Sequence, residues 1–135
     1  MQDDWWDNTD RVRQLIRFEG MTFLGNITPT DIDALIELKN KILCIYEVKY
    51  KHKPVPRGQE LAMERLVQQA KGAGKKGIAV IAEHSVDDPH KDIMLANLRV
   101  RSVYTSETLE WKEPPEEVDV KTLTDNYIER NYQKK

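Results

Sequence analysis

Apolar residues recur along this chain in two rhythms, one close to 3.6 residues and one of two. Trp6, Val12, Leu15, Ile16 and Phe18 fall on one helical stripe, Asp10, Arg11, Arg13, Gln14 and Arg17 fill the remaining surface, and Gly20 is the stop. From Met21 to Tyr50 short apolar runs take over, Met21 to Leu24, Ile32 to Leu38 and Ile42 to Tyr50, broken by Gly25-Asn26, Thr28-Pro29-Thr30 and Lys39-Asn40-Lys41. These predict three strands. The last two form an antiparallel hairpin closed at Asn40, a residue type that tolerates positive φ.

The basic stretch Lys51 to Gly58 carries Pro54 and Pro56 and reads as a loop into a helix from about Gln59 to Ala73. Leu61, Arg65 and Gln68 share one row of that helix, Met63, Leu66, Val67 and Ala70 supply a face to bury, and Gly72 and Gly74 end it. Gly77 to Ala82 is an unbroken apolar run, the pattern of a central strand covered on both sides. After the polar loop His84 to His90, Ile93 to Val103 and Val103 to Trp111 predict further strands, with a helical turn as the alternative for Ile93 to Leu98. Beyond Pro114-Pro115, Val120, Leu123, Tyr127 and Ile128 recur at helical spacing and predict an amphipathic helix at about 117–133. Together these elements predict one α/β domain over 1–135, a central mixed sheet flanked by helices.

Composition narrows the function classes. The chain has 135 residues, and 23 acidic against 21 basic side chains leave a formal charge of -2, so any nucleic-acid role must come from local clustering. No apolar run approaches the roughly 18 residues of a membrane span, and the opening Met-Gln-Asp-Asp is acidic where a signal peptide is basic. The single cysteine, Cys44, excludes an internal disulfide framework and Cys-based zinc spacings, which makes a reducing cytoplasm the expected compartment. Cys44 alternates with Ile42 and Tyr46 and reads as a buried small apolar residue. His52, His84 and His90 are dispersed without metal-ligand spacing.

The chemistry gathers on the hairpin. Period two puts Glu47 and Lys49 on one strand face with Leu43 and Ile45, where charge is unexpected, and Asp31, Asp33, Leu35 and Glu37 share a face of the preceding strand. With a three-residue loop of Lys39, Asn40 and Lys41, Leu38 faces Ile42, Asp33 faces Glu47 and Asp31 faces Lys49. Two opposed carboxylates repel unless a cation neutralises them or one takes up a proton. A hard divalent ion with oxygen ligands, Mg²⁺ first, suits the position, and Lys49 stands about 7 Å along the strand to orient water or stabilise phosphoryl charge. That layout serves metal-assisted phosphodiester hydrolysis. Glu37-Leu38-Lys39, Glu110-Trp111-Lys112 and Asp119-Val120-Lys121 repeat the acid-any-Lys spelling without the apolar strand and opposed Asp. The plainer reading is a solvated sheet face in which Lys49 pairs with Asp31. Lys51, Lys53 and Arg57 make the following loop a candidate phosphate contact, against an ordinary soluble loop.

Thr28-Pro29-Thr30-Asp31-Ile32-Asp33-Ala34-Leu35-Ile36 followed by Ile42-Leu43-Cys44-Ile45-Tyr46-Glu47-Val48-Lys49 resembles the PD-(D/E)XK nuclease superfamily, over about the first two thirds of the chain. The order of elements is similar too: a helix, a three-strand meander carrying the acids, a second helix and a further strand. The resemblance implies a restriction-endonuclease-like fold and a Mg²⁺-dependent nuclease acting on DNA, with Mn²⁺ as a substitute ion. It makes Asp33 and Glu47 the metal-binding acids, Lys49 the catalytic lysine and the Val48 carbonyl an additional metal ligand. Glu19 is the candidate for the glutamate many members supply from the first helix, Gln68 or Gln69 for the glutamine some place on the second. The motif's proline is represented only by Pro29, two positions before Asp31, so Asp31 competes with Asp33. Holliday junction resolvases and small phage or prophage repair nucleases are the neighbours it suggests. The alternative is an inactive module keeping the fold as a DNA-binding or protein-interaction scaffold. Trp5, Trp6 and the Val120 to Tyr132 stripe are available to pack on the domain or across a homodimer.

Overall fold

In a computed structural model, residues 15–132 are described. The chain divides into two compact units, residues 1–30 and 31–135. In the first, the expected helix lies largely outside the described residues, and its last part, Leu15 to Phe18, has no regular structure. Met21 to Leu24 is not the first strand of a meander. Leu24 and Gly25 both take positive φ, 50° and 85°, and the chain turns there, pairing Phe23 with Ile27 through backbone hydrogen bonds of 2.7 and 2.8 Å. A run this short, interrupted by a turn, satisfies its own backbone groups and forms only an isolated bridge.

The second unit is an α/β structure around a five-stranded mixed sheet in the order β1-β2-β3-β4-β5. Strand β1 (Ala34–Leu38) pairs antiparallel with β2 (Ile42–Tyr50), from Leu38 opposite Ile42 to Ala34 opposite Tyr46. Lys39 and Asn40 carry the turn at φ 48° and 61°, Lys41 N–H closes it on the Leu38 carbonyl at 2.9 Å, and the Glu37 carboxylate accepts from Asn40 N–H at 2.6 Å. Helix α1 (Arg57–Gly72) then returns the chain to β3 (Lys76–His84), which lies parallel to β2 with Glu47 beside Ile81 and Lys49 beside Glu83. A parallel neighbour requires such a crossover. Gly77 lets the helix sit close: a Cβ there would meet the Ala70 Cβ at 3.3 Å.

A 3-10 turn at Leu95–Asn97 is the helical alternative for Ile93 to Leu98, so β4 (Arg99–Thr105) begins later than an Ile93 strand start. Strand β5 (Trp111–Lys112) folds back on Val103 and Tyr104. Helix α2 (Val120–Asn131) is capped by Asp119, whose carboxylate accepts from Thr122 N–H at 2.8 Å.

Alternation along the strands sorts the core into two faces. Ile45, Ala79, Ile81 and Tyr104 pack with Met63 and Val67 of α1, while Ile42, Cys44, Tyr46, Ile78, Val80, Ala82 and Val100 pack with Val120 and Tyr127 of α2. Both faces of β2 and β3 are therefore covered, which is why these strands are almost continuously apolar. No helix among the described residues is long and apolar enough to cross a membrane.

Candidate functional site

The apolar character of the α1 face stops at one end. Beyond Ile45 and Ile81 the same face carries Glu47 and Lys49 on β2 and Glu83 on β3, close to where the parallel strands end. Asp33 joins them from the other side. Strand β1 begins only at Ala34, so its ladder stops short of Val48, and the Asp33 carboxylate takes over by accepting from Val48 N–H at 2.7 Å. The N–H and C=O of one strand residue point to the same edge, so the Val48 carbonyl also lies on the Asp33 side, outside the ladder.

Glu47 is only 4% exposed, and its Oε2 lies 3.1 Å from the Lys49 ammonium. Burial pushes the Glu47 carboxyl up; the Lys49 hydrogen bond opposes this, the nearby Asp33 charge reinforces it, and the result is a pKa above the ordinary carboxylate value. The site holds more negative charge than its protein groups neutralise. Two carboxylates and a carbonyl form an all-oxygen donor set of the kind a hard divalent cation takes, and a cation there would relieve the repulsion that raises Glu47. These residues fit such an ion as partial ligands, the remaining positions left to water or substrate oxygen. Among the described residues no group of three His, Cys, Asp or Glu side chains is arranged to hold a metal.

The other residues singled out by sequence are placed as follows. Asp31 does not meet Lys49; its carbonyl accepts from the Gln59 amide at 3.3 Å. Glu19 belongs to the 1–30 unit, where it pairs with Arg17. Gln68 donates to the Tyr104 hydroxyl at 2.7 Å on β4, two strands from β2 and level with Ala79 rather than Ile81. The helix runs back along the sheet, so Gln68 stands roughly 14 Å further along it than Gln59. Gln69 lines a groove beside the hairpin turn with Lys41 and Lys75.

Arg57, expected in the loop, opens α1 and is engaged by Glu60 at 2.5 Å and by Glu64 at 2.7 Å, and Glu64 also accepts from the Trp111 indole at 2.7 Å. Its guanidinium fastens the start of α1 to β5 instead of standing open to a ligand. Lys51 pairs with Asp87 at 3.2 Å, and Lys53 is exposed.

Sequence reasoning passed over two features. Gln59, on the first turn of α1, holds the segment leading to Asp33, and its Oε1 is a buried side-chain oxygen with no hydrogen-bond partner. Glu83 is partly buried against Arg99 at 2.7 Å and Arg101 at 2.6 Å. Burial pushes its carboxyl up, but the two arginine hydrogen bonds together outweigh that and hold it below the ordinary value. The signals were an amide one turn into the helix after the loop, a glutamate closing an apolar run, and the Arg-x-Arg alternation opening β4. The chain matches no protein-family model, and comparison with curated proteins and with solved structures finds no significant likeness.

Proposed function

We propose that this chain is a metal-dependent phosphodiester hydrolase acting on DNA, with a site of the PD-(D/E)XK type in a restriction-endonuclease-like fold. The observation that carries this reading is the convergence of Asp33, a buried Glu47 and Lys49 at one end of the β1-β2 hairpin. The run of hairpin, helix and parallel strand supports it. A solvated sheet face would leave the acids in water, whereas Glu47 is withdrawn from it at a desolvation cost that its contact with Lys49 offsets only in part.

Asp33, Glu47 and the Val48 carbonyl would hold the ion, Mg²⁺ or Mn²⁺, which supplies Lewis acidity and screens phosphoryl charge. Lys49 keeps a positive charge beside the place where the phosphoryl oxygens become more negative, and as a donor it can orient the attacking water. Glu47 fixes the lysine through their 3.1 Å contact. Asp33 is fixed in turn by Val48 N–H, and Gln59 anchors the approach to Asp33. Lys51 and Lys53 offer phosphate contacts next to the site.

The test is incubation of purified protein with branched, single-stranded and linear DNA, with and without Mg²⁺. Cleavage that needs the metal and falls by about 100-fold or more in Asp33→Ala and Lys49→Ala supports the proposal. Absence of metal-dependent cleavage across the panel, or cleavage unchanged in both variants, overturns it and leaves the scaffold reading.

A further inference from the structure

Next to the candidate acids, at the carboxyl ends of β2 and β3 and the start of β4, lies a cleft of about 540 Å³. Its charged lining is Lys51, Glu83 and Arg99, with His52, His84, Ser85 and Asn97 beside them, and Arg101 joins through Glu83. Crevices outside the carboxyl ends of parallel strands are where open α/β sheets receive ligands.

The cleft is built around one partly buried carboxylate, whose single negative charge is outnumbered by the two arginines on it. Glu83 Oε1 accepts from Arg99 at 2.7 Å, Glu83 Oε2 accepts from Arg101 Nε at 2.6 Å, and His52 Nδ1 stands 3.7 Å from the same oxygen. Arg101 also donates to the Lys51 carbonyl at 3.0 Å, which holds the loop after β2 in place. The geometry divides the two arginines. Arg101 has two partners, whereas Arg99 contacts Glu83 through one nitrogen and is about half exposed, so the rest of its planar donor fork is open to a ligand. Such a fork matches the paired oxygens of a phosphodiester.

Register fixes where the cleft lies. Lys49 is beside Glu83 and Glu83 is opposite Arg99, so two strand spacings of about 4.8 Å separate Lys49 from Arg99. That gap is short enough for one nucleic-acid strand to touch both groups at neighbouring phosphates. On the other side of Arg99 and Arg101 a smaller hollow is walled by Glu113, Glu116 and Glu117. An anionic strand is repelled there and directed along the Lys51 and His52 side.

We propose that this cleft is a second phosphate-binding site, in which Arg99 grips the backbone of the DNA strand at a phosphate neighbouring the scissile one while Glu83 sets the arginine in position. The inference rests on the phosphodiester reading of the adjoining acids and gives that site its grip on the flanking strand. The Glu83 carboxylate is then both a positioning group and a competitor of the phosphate. Removing its charge while keeping its shape strengthens binding, whereas removing the arginine weakens it.

The experiment is fluorescence anisotropy of a short labelled DNA duplex in EDTA, where nothing is cut, across a KCl titration, for the wild type, Arg99→Gln and Glu83→Gln. Arg99→Gln is expected to weaken binding roughly 3- to 10-fold and to reduce the log–log salt slope by about 1, the signature of one lost phosphate contact. Glu83→Gln is expected to tighten binding roughly 2- to 5-fold at the same salt. Circular dichroism accompanies each variant, and because Glu83→Gln is a gain of binding, misfolding cannot imitate it. Arg99→Gln binding with wild-type affinity and slope, or Glu83→Gln weakening binding, overturns the proposal. These measurements are made without cleavage, so they fail or succeed apart from the hydrolase reading. Opposite shifts in the two variants with no Mg²⁺-dependent cutting by the wild type keep the cleft and remove the hydrolase; cutting with no shift does the reverse.

Discussion

On the face of the sheet covered by α2, buried polar groups have been given partners. The Tyr46 hydroxyl meets Thr124 at 2.7 Å, and the Tyr127 hydroxyl lies 3.0 Å from the Gly77 carbonyl and 3.1 Å from a Glu107 oxygen, amid Val80, Ala82 and Val100. On the face covered by α1, packing ends at Ile45 and Ile81, and beyond it Glu47 is buried with its pKa raised while Gln59 Oε1 has no partner. Polar groups on the first face repay their burial within the protein. Those at the end of the second remain partly uncompensated, which is the condition of groups awaiting a ligand. The internally paired face and the proposed site are separated by one residue of pleat: Tyr46 points one way and Glu47 the other.

The largest stability effect expected from this contrast is at Tyr127. Tyr127→Phe removes the hydroxyl and leaves the Gly77 carbonyl with Ser106 N–H alone, lowering stability by about 0.5–1.5 kcal/mol in urea unfolding. The proposed DNA cleavage, assayed at a temperature where the variant is folded, is expected to stay at the wild-type rate. Loss of cleavage with unchanged unfolding would contradict the division of labour.

A smaller effect is expected with pH. Burial pushes the Tyr46 hydroxyl up to about 12, above the ordinary value of about 10, and pushes Tyr127 up as well. The folded state therefore holds these protons more tightly than the unfolded one. The contribution is complete below pH 10 and is lost as pH rises from about 10 to about 12. Thermal melts across that window fall for the wild type and fall less for Tyr46→Phe; equal slopes would mean that Tyr46 is not protected by its burial.

The smallest effect lies on the other face and has the opposite sign. A Glu47 pKa raised by burial means that the ionised carboxylate is disfavoured by folding at neutral pH. Glu47→Gln is accordingly expected to leave the melting temperature unchanged or raise it by a few degrees, while abolishing the proposed metal-dependent cleavage. A clear fall in melting temperature would mark the Glu47–Lys49 pair as a structural one.

Much of this site was legible in the residues. A three-residue turn with Asn at positive φ and a strict period of two set the hairpin from Leu38 opposite Ile42 onward, and that register carries Asp33 toward Glu47. Local rules suffice for contacts 14 residues apart across one tight turn, as between Asp33 and Glu47. They did not suffice for the glutamine. Helical rows show which residues share a side, not which end of the helix reaches the acids, and the backward run of α1 put Gln59 there and Gln68 against Tyr104. Nor did they reveal that Arg57 is consumed by Glu60 and Glu64. The apolar run Met21 to Leu24 also misled, because the turn at Leu24 and Gly25 folds it onto itself.

The sequence by itself determined the alternation on β2, the helix-crossover-strand order and the pairing of acids across the hairpin, since each depends on steric periods and turn chemistry within a short stretch. Only the tertiary structure decided that Glu83 stands beside Lys49 with Arg99 and Arg101 around it. That neighbourhood depends on the parallel register across a helical crossover and on a register shift in β3-β4 between Ile81 and Ala82. Such alignments are settled by how the helix seats on the sheet and by the packing of both faces, and no local pattern encodes them.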